Sequence, residues 1–149
     1  MQYMEGSERS KTNSPPPLDF TSLEGALRSL RRALDRSAGA PQDEELRDAC
    51  IQRFDYTFEL AWKMLKRVME REALSPAEID GYSFKQLFRV AGEKGFLVDV
   101  PAWFDFREKR NLTAHTYDQR RAAEVYAVIA GFEREVTELL ARLQARRGE

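Results

Sequence analysis

The stretch from Arg110 to Tyr117, which reads RNLTAHTY, carries the side chains best suited to acid–base chemistry in this sequence. His115 is the only histidine, and an imidazole can accept or donate a proton near neutral pH. Arg110 can hold a phosphate through two N–H groups of its guanidinium. Cleavage of an RNA phosphodiester needs a base for the 2′-hydroxyl proton, an acid for the leaving oxygen and a cation near phosphorus. The stretch therefore offers the residue types for this reaction.

The backbone must bring these two side chains together. Arg110 and His115 lie about 140° apart around an ideal helix, so they converge only if the helix ends between them or a second subunit contributes. One imidazole also cannot act as base and acid at the same time. A two-fold dimer would bring two copies of His115 to one site.

A helix beginning at Pro101 is expected to present the stretch, since proline is tolerated in the first turn of a helix. Residues at steps of three and four share one stripe of that helix. The stripe comprises Arg107, Arg110, Asn111, Ala114 and His115.

The last helix is expected to begin directly after the stretch. Residues 116–119 have the pattern of a capping box, and Asp118 is an alternative N-cap. Arg120 and Arg121, at the start of this helix, would add to an anion site.

A purely structural interpretation of the stretch is also open. A histidine near a helix C-terminus interacts favourably with the helix dipole, and arginines on helices are usually solvated. Tyr117 can simply pack near the turn. Chemistry alone favours this structural interpretation.

Composition excludes several other classes of protein. The 149 residues, 42% apolar with a formal net charge of −1, suit one globular domain without the global basic charge of many nucleic-acid binders. One histidine and one cysteine cannot build a usual zinc site, and no strand precedes a glycine-rich phosphate loop, so we expect no metal and no other cofactor. Cys50 is expected to be a buried, unreactive thiol. Neither a membrane span nor a signal peptide is visible, which favours a cytoplasmic protein.

Helical periodicity dominates the chain after a polar segment over 1–17, which is expected to be a flexible tail. The patterns predict an all-α fold, an antiparallel four-to-five-helix bundle over 18–147. A first helix is expected to start with a capping box of Thr21 and Glu24 and to end near Gly39. The other helices are expected over about 43–72, one short turn before Gly81, a helix capped by Ser83 and Gln86, the helix from Pro101, and about 118–146.

The aromatic residues after Pro101 favour a homodimer. Trp103, Phe104 and Phe106 do not share one face at about 100° per residue. We expect a single small bundle to cover only one side of this helix, so a second subunit would cover the other.

Two segments of the sequence resemble HEPN-domain proteins, whose signature is Arg-x4–6-His. The extended form Arg110-x4-His115-x-Tyr117 resembles the HepT branch more closely. The segment 53–63, RFDYTFELAWK, resembles the long helix of proteins named nucleotidyltransferase substrate-binding, and the position of Trp103 fits as well. The resemblance covers roughly residues 18–143.

The resemblance implies a dimeric all-α protein encoded beside a minimal nucleotidyltransferase of the MntA type. In the HepT toxin–antitoxin form it implies a metal-independent ribonuclease, with Arg110 and His115 catalytic and Asn111 as a polar helper. Arg107, Arg120 and Arg121 are candidate contacts to RNA phosphates. The partner transferase of this family silences the toxin by AMPylation of the motif tyrosine, here Tyr117.

Three hypotheses follow. The first is a ribonuclease toxin of a two-gene module, indicated by Arg110, His115 and Tyr117 together. The second is a non-catalytic substrate-binding subunit of a two-component nucleotidyltransferase, indicated by the segment 53–63. The third is a structural helical dimer in which the motif only packs the interface. The intact Arg-x4-His-x-Tyr motif favours the first hypothesis.

Overall fold

The computed structural model describes residues 18–147, all of whose regular structure is helical. The predicted tail over 1–17 lies outside the described residues. The predicted all-α fold is confirmed. The helices are α1 (Thr21–Ala38), α2 (Glu44–Glu72), α3 (Pro76–Asp80), α4 (Phe84–Glu93), α5 (Val100–Asn111) and α6 (Gln119–Arg147), with a 3-10 turn over Thr113–His115.

Hydrogen bonds at the helix ends show that α2 and α6 run in the same direction. Arg47 near the start of α2 donates to Gln119 at the start of α6 over 2.7 Å. Arg146 near the end of α6 donates to Glu72 at the end of α2 over 2.6 Å. These two long helices therefore lie side by side in register.

The other two main helices run against α2 and α6. Gln144 near the end of α6 donates to Glu24 near the start of α1 over 2.9 Å. Arg142 of α6 donates to the carbonyl oxygen of Phe96, just before α5. Chain-consecutive main helices are thus antiparallel, as predicted, and α3 and α4 lie in the connection between α2 and α5.

The core is aromatic and joins α2, α5 and α6. The ring centroid of Phe132 in α6 lies 4.8 Å from that of Phe54 in α2 and 5.2 Å from that of Phe106 in α5. The fully buried Trp103 of α5 lies 6.2 Å from Phe132. Such edge-on aromatic contacts add to the apolar burial. They hold α5, which carries the motif, against both long helices.

Apolar residues at helical spacing predict one buried stripe along each long helix, and both stripes are confirmed with one exception. The predicted stripes are Leu46, Cys50, Phe54, Phe58, Ala61, Leu65 and Met69 on α2, and Ala122, Val125, Ile129, Phe132, Val136, Leu139 and Leu143 on α6. Leu46, at the start of α2, is only half-buried. Cys50 is buried as predicted, and burial raises the pKa of its thiol. Ser83 and Gln86 form the predicted capping box of α4.

The capping box predicted for α1 is wrong. The helix begins at Thr21, and the N-cap position belongs to Phe20, whose ring is buried. The backbone N–H of Thr21 instead donates to the Asp19 carboxylate over 2.9 Å. Burial of Phe20 determines where the chain enters the bundle, so Thr21 lies inside the first turn.

The premise behind the aromatic argument for a dimer is also wrong. Trp103 and Phe106 face the core, while Phe104 is half-buried against Phe88 of α4, with ring centroids 5.8 Å apart. One chain therefore covers α5 from two sides, because α4 packs on the second side. The dimer itself stays a prediction.

Within the described part of the chain, no helix combines the length and apolar character needed to cross a membrane.

Candidate functional site

The motif lies where α5 ends, and that end comes earlier than predicted. The α-helix stops at Asn111, so the predicted stripe does not continue as α-helix to His115. The hydroxyl of Thr113 donates to the carbonyl oxygen of Arg110 over 2.8 Å, and this local bond competes with helix continuation. The chain tightens into i→i+3 bonds, such as His115 N–H to Leu112 O at 2.9 Å. The helix therefore ends between the arginine and the histidine.

The last helix is capped by Asp118 and not by Thr116. The Asp118 carboxylate accepts from the backbone N–H of Arg120 at 2.9 Å and of Arg121 at 3.5 Å. The Thr116 hydroxyl instead donates to the carbonyl oxygen of Thr113 at 3.4 Å. Asp118 thus occupies the backbone N–H groups that an anion would bind at the start of α6. Only the side chains of Arg120 and Arg121 remain available to bind an anion there.

Arg110 is anchored to α2 by two carboxylates. Its Nε donates to Asp55 Oδ1 over 2.7 Å, and its Nη2 donates to Glu59 Oε1 over 3.2 Å. The three side chains are 37%, 40% and 28% exposed, respectively. Ion pairs with this exposure are weak, on the order of 1 kcal/mol or less, so an incoming phosphate can compete for the guanidinium.

His115 and Tyr117 form the exposed edge of the site. Their ring centroids lie 6.1 Å apart in an edge-on arrangement, and Tyr117 is 79% exposed. Asn111 is exposed as well. No hydrogen bond joins Arg110 to His115; the structure instead pairs the histidine with the tyrosine. Both rings are accessible to a large ligand such as RNA.

The remaining predicted phosphate contacts lie on α5 and at the start of α6. Arg107 is exposed, and its guanidinium carbon lies 4.3 Å from the ring centroid of Phe84 in α4. Arg120 and Arg121 are exposed at the start of α6, and Arg121 Nε is 4.0 Å from Asp118 Oδ2. Lys109 is bonded to Asp105 over 2.7 Å, and this bond raises the pKa of the lysine.

The sequence analysis did not predict that Asp55 and Glu59 belong to the site, although one sequence pattern indicates them. Two acids four residues apart on the same helix face repel each other, which destabilises a helix unless a cation lies between them. Here that cation is Arg110, which lies 51 residues or more further along the chain. A like-charged pair beside an apolar stripe is thus a hint of a distant basic partner.

The arrangement offers a half-buried guanidinium at the end of α5 and an exposed imidazole and phenol in the residues that follow it. The guanidinium can bind a phosphate, the imidazole can transfer a proton, and the phenol can accept a group on its oxygen. Among residues 18–147, no group of three or more His, Cys, Asp or Glu side chains is placed to hold a metal ion.

The helical bundle and the motif at the end of α5 define a HepT-like helical protein. The chain belongs to the family described as nucleotidyltransferase substrate binding protein like, whose family model matches residues 18–145. The matched range includes both segments on which the resemblance depends, residues 53–63 and 110–117.

Relatives in two bacteria agree with this assignment. The chain is 37% identical over 129 residues to a protein of Haemophilus influenzae named probable ribonuclease HepT, covering 85% of this chain and 88% of that protein. A solved Haemophilus influenzae structure, described as the fold of a substrate binding domain of a nucleotidyltransferase, matches with a TM-score of 0.80 and 33% identity over 85% of this chain and 99% of that one. A Thermus thermophilus structure matches with a TM-score of 0.68 and 31% identity, covering 81% and 98%.

Proposed function

We propose that this protein is a metal-independent ribonuclease toxin of a HepT/MntA-type toxin–antitoxin module. The observation that carries the proposal is the Arg110-x4-His115-x-Tyr117 motif at a helix end, with His115 and Tyr117 exposed, on a chain 37% identical to a probable ribonuclease. The arginine is anchored by α2, which gives the site one pre-positioned cation.

In the proposed reaction, the RNA phosphate displaces one carboxylate from Arg110 and binds its guanidinium. The 2′-oxygen attacks the adjacent phosphorus while a base removes its proton, and the 5′-oxygen leaves with a proton from an acid. The products are a 2′,3′-cyclic phosphate and a 5′-hydroxyl. His115 of one subunit and His115 of its partner in a homodimer supply the base and the acid. Asn111 is a polar helper beside Arg110.

The proposed control is covalent modification of Tyr117 by a partner minimal nucleotidyltransferase. The tyrosine oxygen attacks the α-phosphorus of ATP, the phenolic proton is lost and pyrophosphate leaves. The AMP adduct places a negative charge two residues from His115 and close enough to compete with RNA for the basic side chains. Exposure of Tyr117 makes its hydroxyl accessible to such an enzyme.

The decisive experiment compares wild type, His115→Ala and Ala114→Ser with total RNA in the presence of EDTA. Intact mass first establishes that Tyr117 carries no adduct. Wild type and Ala114→Ser, an exposed change in the same turn, are expected to leave 2′,3′-cyclic phosphate ends. His115→Ala is expected to be at least about a hundredfold slower, because a positioned acid or base typically contributes this much. Cleavage of RNA by His115→Ala at the wild-type rate would refute the proposal.

The second candidate function is a non-catalytic subunit that presents a surface to a nucleotidyltransferase. It is favoured by the family match and by the description of the Haemophilus influenzae structure. This candidate function predicts that the protein forms a stable complex with such an enzyme. It also predicts that the protein does not cleave RNA, even when Tyr117 carries no adduct. The same RNA assay therefore separates the two candidates.

A further inference from the structure

A cavity of about 100 Å³ lies between α2, α3 and α4, next to the motif. Its floor is formed by the buried Ile79 and Leu87. Three half-buried aromatic side chains and one lysine line the rest, together with Ser83. These four are Trp62, Tyr82, Phe84 and Lys66.

The cavity is linked directly to Arg110 through one oxygen atom. Glu59 Oε1 accepts a hydrogen bond from the indole N–H of Trp62 at 3.2 Å and another from Arg110 Nη2 at 3.2 Å. The guanidinium and the indole nitrogen are therefore no more than two hydrogen-bond lengths apart. A phosphate bound at Arg110 would lie at the rim of an aromatic cavity.

Both carboxylates and cations lie beside these aromatic rings. Glu78 accepts a hydrogen bond from the Tyr82 hydroxyl at 3.3 Å, as Glu59 does from Trp62. Arg107 lies over Phe84 at 4.3 Å, and Lys63 Nζ lies 5.9 Å from the Trp62 ring centroid. Arg107 has no carboxylate partner within the part of the chain that the structure describes. Lys66 is paired with the exposed Asp80 at 2.9 Å, a pair that solvent and anions can open. The cavity thus combines aromatic surfaces with cations.

We propose that this cavity binds one unpaired base of the RNA strand whose phosphate lies at Arg110. The inference rests on the proposed function and names its substrate class as single-stranded RNA. Unpaired bases are recognised by stacking on aromatic side chains, beside cations that follow the backbone. A cavity of this size holds one ring system and not a paired helix. Tyr82 and Trp62 provide the stacking surfaces, and Arg107 contacts the neighbouring phosphate. Phe84 holds Trp62 in place through an edge-on contact, with ring centroids 4.7 Å apart.

Tryptophan fluorescence tests the inference without depending on cleavage. The sequence has two tryptophans, and Trp103 is fully buried, so quenching by a bound base reports Trp62. The probe is a short 2′-O-methyl RNA, which cannot be cleaved because its 2′-oxygen is blocked. It is compared with versions that lack one base at each position in turn. We expect one abasic position to bind about tenfold more weakly and to lose the quenching.

Variants assign this difference to the cavity. Tyr82→Leu removes a stacking ring, and Phe84→Leu removes the ring that holds Trp62 in place. Both keep apolar volume, so each variant is expected to bind the complete and abasic strands alike. Two variants are used because the test still works if one of them does not fold. Tyr56→Leu is the matched control, because it removes an exposed aromatic ring from α2 that bonds to Ser29 of α1, away from the cavity. It is expected to keep the tenfold difference.

Each outcome separates this inference from the proposed function. Equal binding of complete and abasic strands by wild type would overturn the inference, whether or not RNA is cleaved. The tenfold difference without cleavage of ordinary RNA would support the base site and contradict the ribonuclease. Saturation by AMP alone at the concentration that saturates the strand would assign the cavity to a free nucleotide. If Tyr82→Leu and Phe84→Leu lose binding to the transferase while their RNA binding is unchanged, the cavity is assigned to the partner protein. Either of these last two results overturns the RNA-base site.

Discussion

Arg110 Nε lies 2.7 Å from Asp55 Oδ1, so the candidate catalytic cation is held by a carboxylate from a different helix. The carboxylate has two opposing effects. It orients the guanidinium, and it cancels part of the charge that would attract a phosphate. These effects can be separated by substitution, because an amide keeps the acceptor oxygen without the charge.

Asp55→Asn is expected to lower the KM for RNA by roughly threefold at low salt, with kcat nearly unchanged. The amide oxygen still accepts from Arg110, while removal of a half-exposed negative charge favours phosphate binding by less than about 1 kcal/mol. Asp55→Leu removes both the charge and the acceptor, so kcat is expected to fall. Steady-state cleavage at two salt concentrations measures both constants. Identical kinetics for the two variants would show that Asp55 does not position Arg110.

Under the proposed function, Tyr117→Phe is expected to cleave RNA within about twofold of wild type and to resist silencing by the proposed partner transferase. The side chain is largely exposed, so loss of its hydroxyl removes no buried contact. Intact mass after incubation with the transferase and ATP should show one AMP on wild type and none on the variant. Silencing of Tyr117→Phe together with an AMP adduct would place the modification on another residue.

Gly92→Ala is expected to destabilise the fold by about 1 kcal/mol, measured by urea denaturation. A Cβ at Gly92 would lie 2.5 Å from Val100 Cγ2 at the start of α5, and the branched valine cannot easily rotate away in a helix. This clash outweighs the helix propensity that alanine adds.

Two further variants test this explanation for Gly92. Adding Val100→Ala to Gly92→Ala removes the clash and should recover most of the loss caused by the alanine. Gly131→Ala in α6 has only Arg134 Nη2 nearby, at 3.7 Å, and should stabilise the protein. A Gly92→Ala protein as stable as Gly131→Ala would contradict the close packing of α4 on α5.

Glu135→Gln is expected to raise Tm by about 2 °C at pH 7. Burial raises the pKa of Glu135, and the charges of Glu138 and Asp99 raise it further. A carboxyl with a raised folded pKa binds its proton more tightly in the folded chain, so its ionised form costs stability above that pKa. The gain should therefore shrink as the pH falls through the folded pKa of Glu135. Thermal melts between pH 4 and pH 7 measure it, and a gain independent of pH would contradict the ionisation effect. Glu124→Gln, an exposed change on the same helix, is the control.

The fold could be predicted because its information is local. Phe54, Phe58 and Leu65 recur at helical spacing and are all buried, so periodicity alone identified the inner face of α2. Helix ends were less predictable, because side chains competed for them. Asp118 and Thr116 both matched the start of α6, and only the hydrogen bonds distinguish them.

The site was predictable only for residues that are neighbours in sequence. Arg110, His115 and Tyr117 form one motif, so their spacing was visible. The pairing of Arg110 with Asp55 and Glu59 depends on how α5 packs against α2, which no local pattern encodes. The dimer argument failed for a similar reason: the cover that α4 gives Phe104 depends on tertiary packing and not on the angles along α5.

The two carboxylates that hold Arg110 each directly follow a buried aromatic residue, Asp55 after Phe54 and Glu59 after Phe58. One face of this short stretch of α2 therefore packs in the core, and the adjacent face holds Arg110 in the candidate site. A rotation of α2 that repacks either ring also turns the neighbouring acid away from the guanidinium. Conservative core substitutions at Phe54 or Phe58 will consequently behave as active-site variants in kinetic assays. Under the proposed function, rates of RNA cleavage become a sensitive measure of how tightly this bundle is packed.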